Sequence, residues 1–479
     1  MFLPGVVHTK KRIYHLVFRY TFLICIALYA YYPVFAFQQP FYPKLYPTDS
    51  TKHFFTNNVR KKNFGNAAGQ LVLAEVLPWS FDRYIRNRPY ARISLESAWY
   101  NLSPLHWAWD ADDFGTNEFA HPYHGSNFFS AFRVNGYSFW QSVPAAFTGS
   151  YLWETFGENE YPSPNDFINT GFGGVVLGEM TFRLSKRIVD NHSTGFKRQA
   201  SEVLALLINP MNGFRRIVDK KWGKVSPNSA EHDSSKVYGE FDAGIRNFNP
   251  NRTGSSFGYY GHIRMLYGNP FENYRKPFSN ISINIEFGND DSSKVNMVNV
   301  HGSLAGWALG STSDRATHLA ILSANYDYIR NEAFYYSAQS IKLNLFSDFG
   351  SGHKIKLNTV FGIGPVILAA VPDVYEYRGR RYSYGSGLSA NSTIGINMNN
   401  RFFITTNYRG SFIKTLNGNP SHYYLHAVSG EIRYRLIKNV SAGFEPGFFN
   451  LTGHYKYNPD VYQTYPYWRF FIRLNTRNR

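Results

Sequence analysis

Cysteine is almost missing from this sequence: the 479 residues hold one, Cys25. It lies inside a short apolar run, Thr21 to Ala30, that follows Lys10, Lys11, Arg12 and Arg19. A basic stretch followed by a short apolar run predicts a secretory signal over residues 1–36, with Val34-Phe35-Ala36 as a loose cleavage site. The alternative is an uncleaved anchor, for which the run is short. Cys25 makes a poor lipoprotein cysteine, because Ile24 precedes it where a small residue is needed. Cleavage after Ala36 leaves no thiol, which excludes disulfides, thiolate catalysis and cysteine-ligated metals. It also removes four positive charges and no negative ones, taking the formal charge from +17 to +13.

Long hydrophobic runs are scarce as well. A mean hydropathy of −0.35 excludes a polytopic helical membrane protein. Acidic residues are the rarer charge, 33 against 50 Lys and Arg. The basic residues are spread along the chain, and the densest run, Arg60-Lys61-Lys62, is short. No nucleic-acid-binding stripe results, and the excess suits anionic lipopolysaccharide or lipid headgroups instead. Aromatics are abundant, with 36 Tyr and 41 Phe beside 39 Gly. Aromatic girdles, a thin apolar band and a polar lumen give a membrane β-barrel this composition.

The chain changes period near residue 230. Helical patterning covers Phe64 to Arg86 with a proline at Pro78, Ser126 to Gly157 with one at Pro144, a segment from Ser163-Pro164 to about Asp190, and Phe196 to Asp219 with a break at Asn209-Pro210. Ser163 is the expected N-cap, with Pro164 at the first helical position. Beyond Asp233 the period becomes two. In Ile281-Ser282-Ile283-Asn284-Ile285-Glu286-Phe287 every odd position is apolar and every even one polar. Ile432, Tyr434 and Leu436 alternate with Glu431, Arg433 and Arg435, and Trp468, Phe470, Ile472 and Leu474 with Arg469 and Arg473. A β-sandwich would alternate too. Runs of about ten residues or more, a charged second face, and alternating short (Asn399-Asn400) and long (Asp373 to Arg381) connections favour a transmembrane barrel. The expected fold is α+β and multidomain: a linker over 37–63, an α-helical domain over 64–225, and over 234–479 an antiparallel outer-membrane barrel of about twelve strands. The helices are expected at the periplasmic mouth or partly inside the lumen, facing Glu286, Arg433 and Arg473.

Candidate chemistry lies in the helical part. Asp110-Ala111-Asp112-Asp113-Phe114-Gly115 begins like a calcium loop but fails at Phe114 and at His121, where a bidentate Glu belongs. His121 and His124, three apart, could act with Glu154 and Asp166 as a catalytic cluster, with Asp110, Ser126, Arg133, Asn135, Glu158, Asn169 and Glu179 as surrounding binding residues. The bland alternative is that the histidines buttress a helix starting near Ser126, whose hydroxyl caps it. No metal signature such as HExxH and no GxSxG elbow occurs, and no metal or cofactor is expected. Gly174 and Gly178, four apart, suit close helix packing. Asn299, His301 and Ser303 contain the residue types of outer-membrane phospholipases, but the alternation turns them toward a lumen. His426 and Ser429 fall on opposite faces of a strand.

The stretches HPYHGSNFFSAFRVNGYSFW, SYLWETFGENEYPSPNDFINTGFGGVVLGEMTFRLS and EVLALLINPMNGFRR resemble an uncharacterised bacterial group, domain-of-unknown-function family 3943. The resemblance implies an exported protein with a C-terminal outer-membrane-like barrel and implies no reaction. The spacing of Asp166, Asn169, Thr170, Gly173 and Gly178 is also similar to VanZ-type and YfiM-type segments, although those are more hydrophobic. The expected function is a structural or pore-like envelope role. Its alternatives are a lipid- or glycan-modifying enzyme built on the His/Glu/Asp cluster, or a metal-stabilised receptor. Expected partners are outer-membrane lipids and lipopolysaccharide, the barrel-assembly machinery during biogenesis, and an unidentified small-molecule ligand.

Overall fold

The computed structural model describes residues 61–227, 235–249, 254–290, 292–310, 316–331, 334–349 and 354–476. The signal-like segment and most of the linker lie outside the described residues. The helices are α1 (Phe64–Ser80), α2 (Leu95–Asn101), α3 (His121–Arg133), α4 (Phe139–Phe156), α5 (Pro164–Ile168), α6 (Gly174–Ile188), α7 (Gly195–Ile208) and α8 (Pro210–Val218). Wider π turns at Phe81–Ile85, Thr116–Ala120 and Asn169–Gly173 extend α1, lead into α3 and join α5 to α6.

Local chemistry explains most boundaries. Ser163 accepts the Asp166 amide with Pro164 next to it, as expected, and at the expected break Asn209 caps α8 by accepting the Asn212 amide. The expected helix from Ser126 to Gly157 is two helices. Gly136 takes a left-handed conformation (φ 92°), and Ser138 opens α4 with a reciprocal capping box to Gln141. α3 also starts earlier than expected, because the chain is already helical from Thr116. Ser126 is therefore no cap; its hydroxyl donates to the Tyr123 carbonyl at 2.6 Å.

The second half is a closed antiparallel barrel of twelve strands in sequence order. They are β1 (Val237–Phe248), β2 (Ser256–Tyr267), β3 (Ile281–Gly288), β4 (Val295–Leu309), β5 (Ala316–Arg330), β6 (Tyr335–Phe349), β7 (Ile355–Tyr377), β8 (Arg380–Met398), β9 (Phe402–Asn417), β10 (Ser421–Ile437), β11 (Val440–Tyr455) and β12 (Val461–Thr476). Closure pairs β1 with β12, with Asp242 opposite Arg473 in the register. Closing the sheet leaves no edge to be covered. Asn399 and Asn400, both at positive φ, form the expected short turn. Asp373 to Arg381 is not a long loop. It is the end of the two longest strands, joined by Arg378 and Gly379, again both at positive φ.

The charged face points inward. Arg264 on β2 reaches Glu431 on β10 at 3.1 Å, and Arg473 on β12 reaches the same carboxylate at 2.8 Å. Only the inside of a barrel brings those strands together. Arg246 pairs with Glu286 and Asp290, and Arg469 bridges Glu286 and Glu445 at 3.0 and 3.2 Å. A layer of Phe248, Phe334, Tyr423, Leu451 and Tyr467 packs within the same lumen. The remaining space, about 500 Å³, is lined by Glu240, Arg264, Asp327, Arg409, Glu431 and Arg473 among others.

The helices lie on the outer wall. Ile281 and Ile283 of β3, Val298 and Val300 of β4 and Tyr326 of β5 face away from the lumen. They are buried in one cluster with Val175, Val176, Met180 and Leu184 of α6 and with Phe129 and Phe139. Outward residues elsewhere stay bare: Ile363 is 61% exposed and Ile432 48%. This placement differs from the expected seat at the mouth or in the lumen. The apolar face of β3–β5 and the apolar stripe of α6 are both too large to leave wet, and each buries the other. Glu286, Arg433 and Arg473 accordingly meet barrel residues rather than helix faces.

Candidate functional site

Where α3, α5 and the π turns approach β5 and β8, polar side chains converge in an otherwise apolar seam. Asn165 is the hub. Its amide nitrogen donates to Asp166 and to the Tyr384 hydroxyl, both at 3.0 Å, and its oxygen accepts from the Ser163 hydroxyl at 2.6 Å and the Asp110 amide at 3.0 Å. Asn117 donates to Asp110 at 3.0 Å and to the Tyr382 hydroxyl at 2.9 Å. Asn169 donates to Glu118 at 3.0 Å. Ser163, Asn165, Asp166, Asn117, Glu118 and Asn169 are each placed by a helix start or a π turn, where backbone groups are free to be bonded.

Two of the four expected catalytic residues meet. His121 Nε2 lies 3.7 Å from Asp166 Oδ1, and its Nδ1 lies 3.4 Å from the Thr170 hydroxyl. Glu154 is buried beside them and accepts the Ser163 amide at 2.9 Å. His124 turns elsewhere. Its Nε2 donates to the Ala74 carbonyl at 2.9 Å, and its ring packs on Phe128 and Trp153. Burial pushes both imidazoles down to about 4, aided at His121 by His124. Burial also raises Asp166 and Glu154 well above the usual carboxylate range, each then raised further by a neighbouring acid, Glu154 and Glu158 respectively. Burial lifts Glu118 to about 7 against its hydrogen bonds. Burial in the seam thus disfavours the charged forms of His121, Asp166 and Glu154 together.

The expected binding residues divide. Asp110 and Asn169 belong to the seam. Glu158 accepts from the Trp153 indole at 2.5 Å, and burial raises it to about 8. Arg133, Glu179 and Asn135 lie at other helix contacts. Arg133 and Arg183 clamp Glu179 at 2.6 and 2.8 Å. Burial alone would raise Glu179, but the two guanidiniums outweigh it and hold the carboxyl below its ordinary value. Asn135 donates to Gln70 at 2.9 Å and to the Ala131 carbonyl at 2.7 Å. Asn165, Glu118, Tyr382 and Tyr384 were not legible in the sequence. The tyrosines follow directly on the segment that reads as loop and lie 265 and 219 residues from their partners.

No group of three or more His, Cys, Asp or Glu among the described residues is placed to hold a metal ion. None of the seam residues borders the lumenal space. His301 and Ser303 do border it, His301 pairing with Asp327 at 3.0 Å and Ser303 accepting the Asn280 amide at 3.3 Å.

Fold and seam define a closed barrel with a helical layer on its wall. The family model Domain of unknown function (DUF3943) matches residues 106–211, the stretch holding α3 to α7 and nearly all of the seam. No curated protein matches the chain. Among solved structures the chain is similar to the NanC porin, at 9% identity over 48% of this chain and 98% of that one, with a TM-score of 0.28. It is also similar to the KdgM porin, at 10% identity over 50% and 99%, with a TM-score of 0.25. An anion-selective porin from Comamonas acidovorans is 8% identical over 50% and 99%, with a TM-score of 0.24. Likeness at this level carries no activity over to this chain.

Proposed function

We propose that this is an outer-membrane barrel with a structural role, whose lumen is closed by its own side chains and whose outer wall carries the helical domain. The lumenal lattice of Arg246, Arg264, Arg469 and Arg473 with Glu286, Glu431, Glu445 and Asp242 carries the reading. Side chains paired across the lumen occupy its cross-section, and opposite charges held together leave little field to draw ions of one sign. Outer-membrane lipids, lipopolysaccharide and, during biogenesis, the barrel-assembly machinery are its partners on this reading. Planar-bilayer recording tests it. The purified full-length protein is expected to give no single-channel steps, and stable ohmic steps from it would overturn the closed-lumen reading.

One observation favours a second reading, a lipid- or glycan-modifying enzyme: His121 faces Asp166 in a buried polar seam. Lipid and glycan profiles of a deletion strain and of a His121→Ala strain test it. Matching changes support chemistry at the pair, and a wild-type profile from His121→Ala rejects it.

A further inference from the structure

The helical layer hides part of the barrel's outer wall but does not end the apolar surface. α1 has one charged residue in its seventeen, Glu75, and that side chain keeps its Oε1 out of solvent. Its inner face buries Ala67, Gln70, Leu71 and Ala74, while Val72, Val76 and Leu77 on the opposite side are exposed. α4 likewise has a single charged residue in eighteen, the buried Glu154, and leaves Trp140 and Phe156 exposed. Leu95 and Trp99 of α2 are 93% and 79% exposed, and Leu207 of α7 is exposed as well.

A surface helix in water carries charge on its outer face, and a helix apolar all round belongs in a core or a bilayer. Exposed apolar patches of this kind mark an interface. Three observations name the occupant. The helices sit on the same outer wall whose uncovered residues, such as Ile363 and Ile432, are apolar and bare, so lipid that touches the wall meets the helices next. Exposed Arg88 and Arg92 follow α1 beside Tyr84 and Ile85, the order of apolar, aromatic and basic groups found at a bilayer edge. No described helix is long and apolar enough to cross a membrane, so the layer has to lie alongside the barrel rather than span by itself.

We infer that the outward faces of α1, α2, α4 and α7 contact lipid acyl chains, so that helices and barrel form one membrane-embedded body. This rests on the barrel lying in a membrane. It places the polar seam inside the bilayer region, between helix and strand, rather than in the aqueous periplasm.

Site-directed spin labelling of the full chain tests this. In a Cys25→Ser background, single labels at Leu95→Cys, Val76→Cys and Leu207→Cys are compared with Ile432→Cys on the bare wall and with Tyr457→Cys in the exposed turn between β11 and β12. The protein is reconstituted in phosphatidylcholine–phosphatidylglycerol vesicles, and collision with oxygen and with a water-soluble nickel chelate is measured. The expected result is oxygen-dominated collision at Leu95, Val76 and Leu207, several-fold above Tyr457 and matching Ile432. Nickel-dominated collision at the helix sites with Ile432 still oxygen-dominated overturns the inference and leaves the membrane barrel standing. Nickel access at Ile432 as well overturns both. Protection from both reagents at the helix sites means that protein covers this face, which also overturns the inference.

Discussion

The phenol of Tyr326, on the outer face of β5, donates a 2.5 Å hydrogen bond to the backbone carbonyl of Glu118 in the turn leading into α3. Both residues are fully buried, and the bond joins barrel wall to helical layer at the centre of the seam. Tyr326→Phe removes it, a loss of about 1 kcal/mol. The expected outcome is faster amide exchange across Thr116–Arg133, with the heat-modifiable gel shift of the barrel unchanged.

Glu118 makes the fit pH-dependent. Its folded pKa of about 7 lies above the ordinary carboxylate value of 4.5. A carboxyl raised on folding contributes fully below the unfolded value and loses that contribution as pH rises through the folded one. The helical layer should therefore weaken between pH 4.5 and 7, by up to about 3 kcal/mol if no other group compensates. Glu118→Gln should remove this slope and unfold at higher denaturant than wild type at pH 8, with the difference vanishing near pH 4. Denaturant midpoints across that range measure it.

Gly125 lies against α6 and its preceding turn with no room for a side chain. A Cβ there would stand 1.9 Å from the Thr170 carbonyl oxygen, and one on Gly174 would stand 2.5 Å from the Gly125 carbonyl carbon. Alanine improves helix propensity by about 1 kcal/mol, but overpacking against backbone costs about 3 kcal/mol. Gly125→Ala should be net destabilising, read as protease cleavage within residues 116–190 at conditions where wild type resists.

Arg473 neutralises Asp242 and Glu431 inside the lumen, at 2.6 and 2.8 Å. Arg473→Ala leaves both acids buried without that partner and should cost about 3–5 kcal/mol of barrel stability. Arg473→Met together with Asp242→Asn should recover much of it. Urea midpoints from the heat-modifiable gel shift distinguish the two.

The barrel was legible because alternation reports a two-sided sheet directly: Ile281 to Phe287 states its two faces within seven residues. The helix cap at Ser163 and the break at Asn209-Pro210 were legible for a similar reason, since cap and proline chemistry is local. The break at Gly136 was missed because a glycine inside an aromatic run is compatible with either continuation or a turn. The position of the helices was not legible at all. Alternation shows that one strand face is apolar, and the same pattern serves whether lipid or another part of the chain covers it. His121 lies beside Asp166 and His124 does not, which was not legible because the spacing of two histidines fixes neither which side of a helix faces Ala74 nor where α5 returns.

The docked helices also impose an order of events. Asp110 accepts Arg380 through its backbone carbonyl across 270 residues of chain, and the Asp112 carbonyl accepts Tyr382 across the same distance. The surface that receives the helices does not exist until β3 to β8 have paired, although the helices leave the ribosome first. The segment made earliest is therefore the last to find its place, and during that interval its apolar faces need shelter from one another and from other chains.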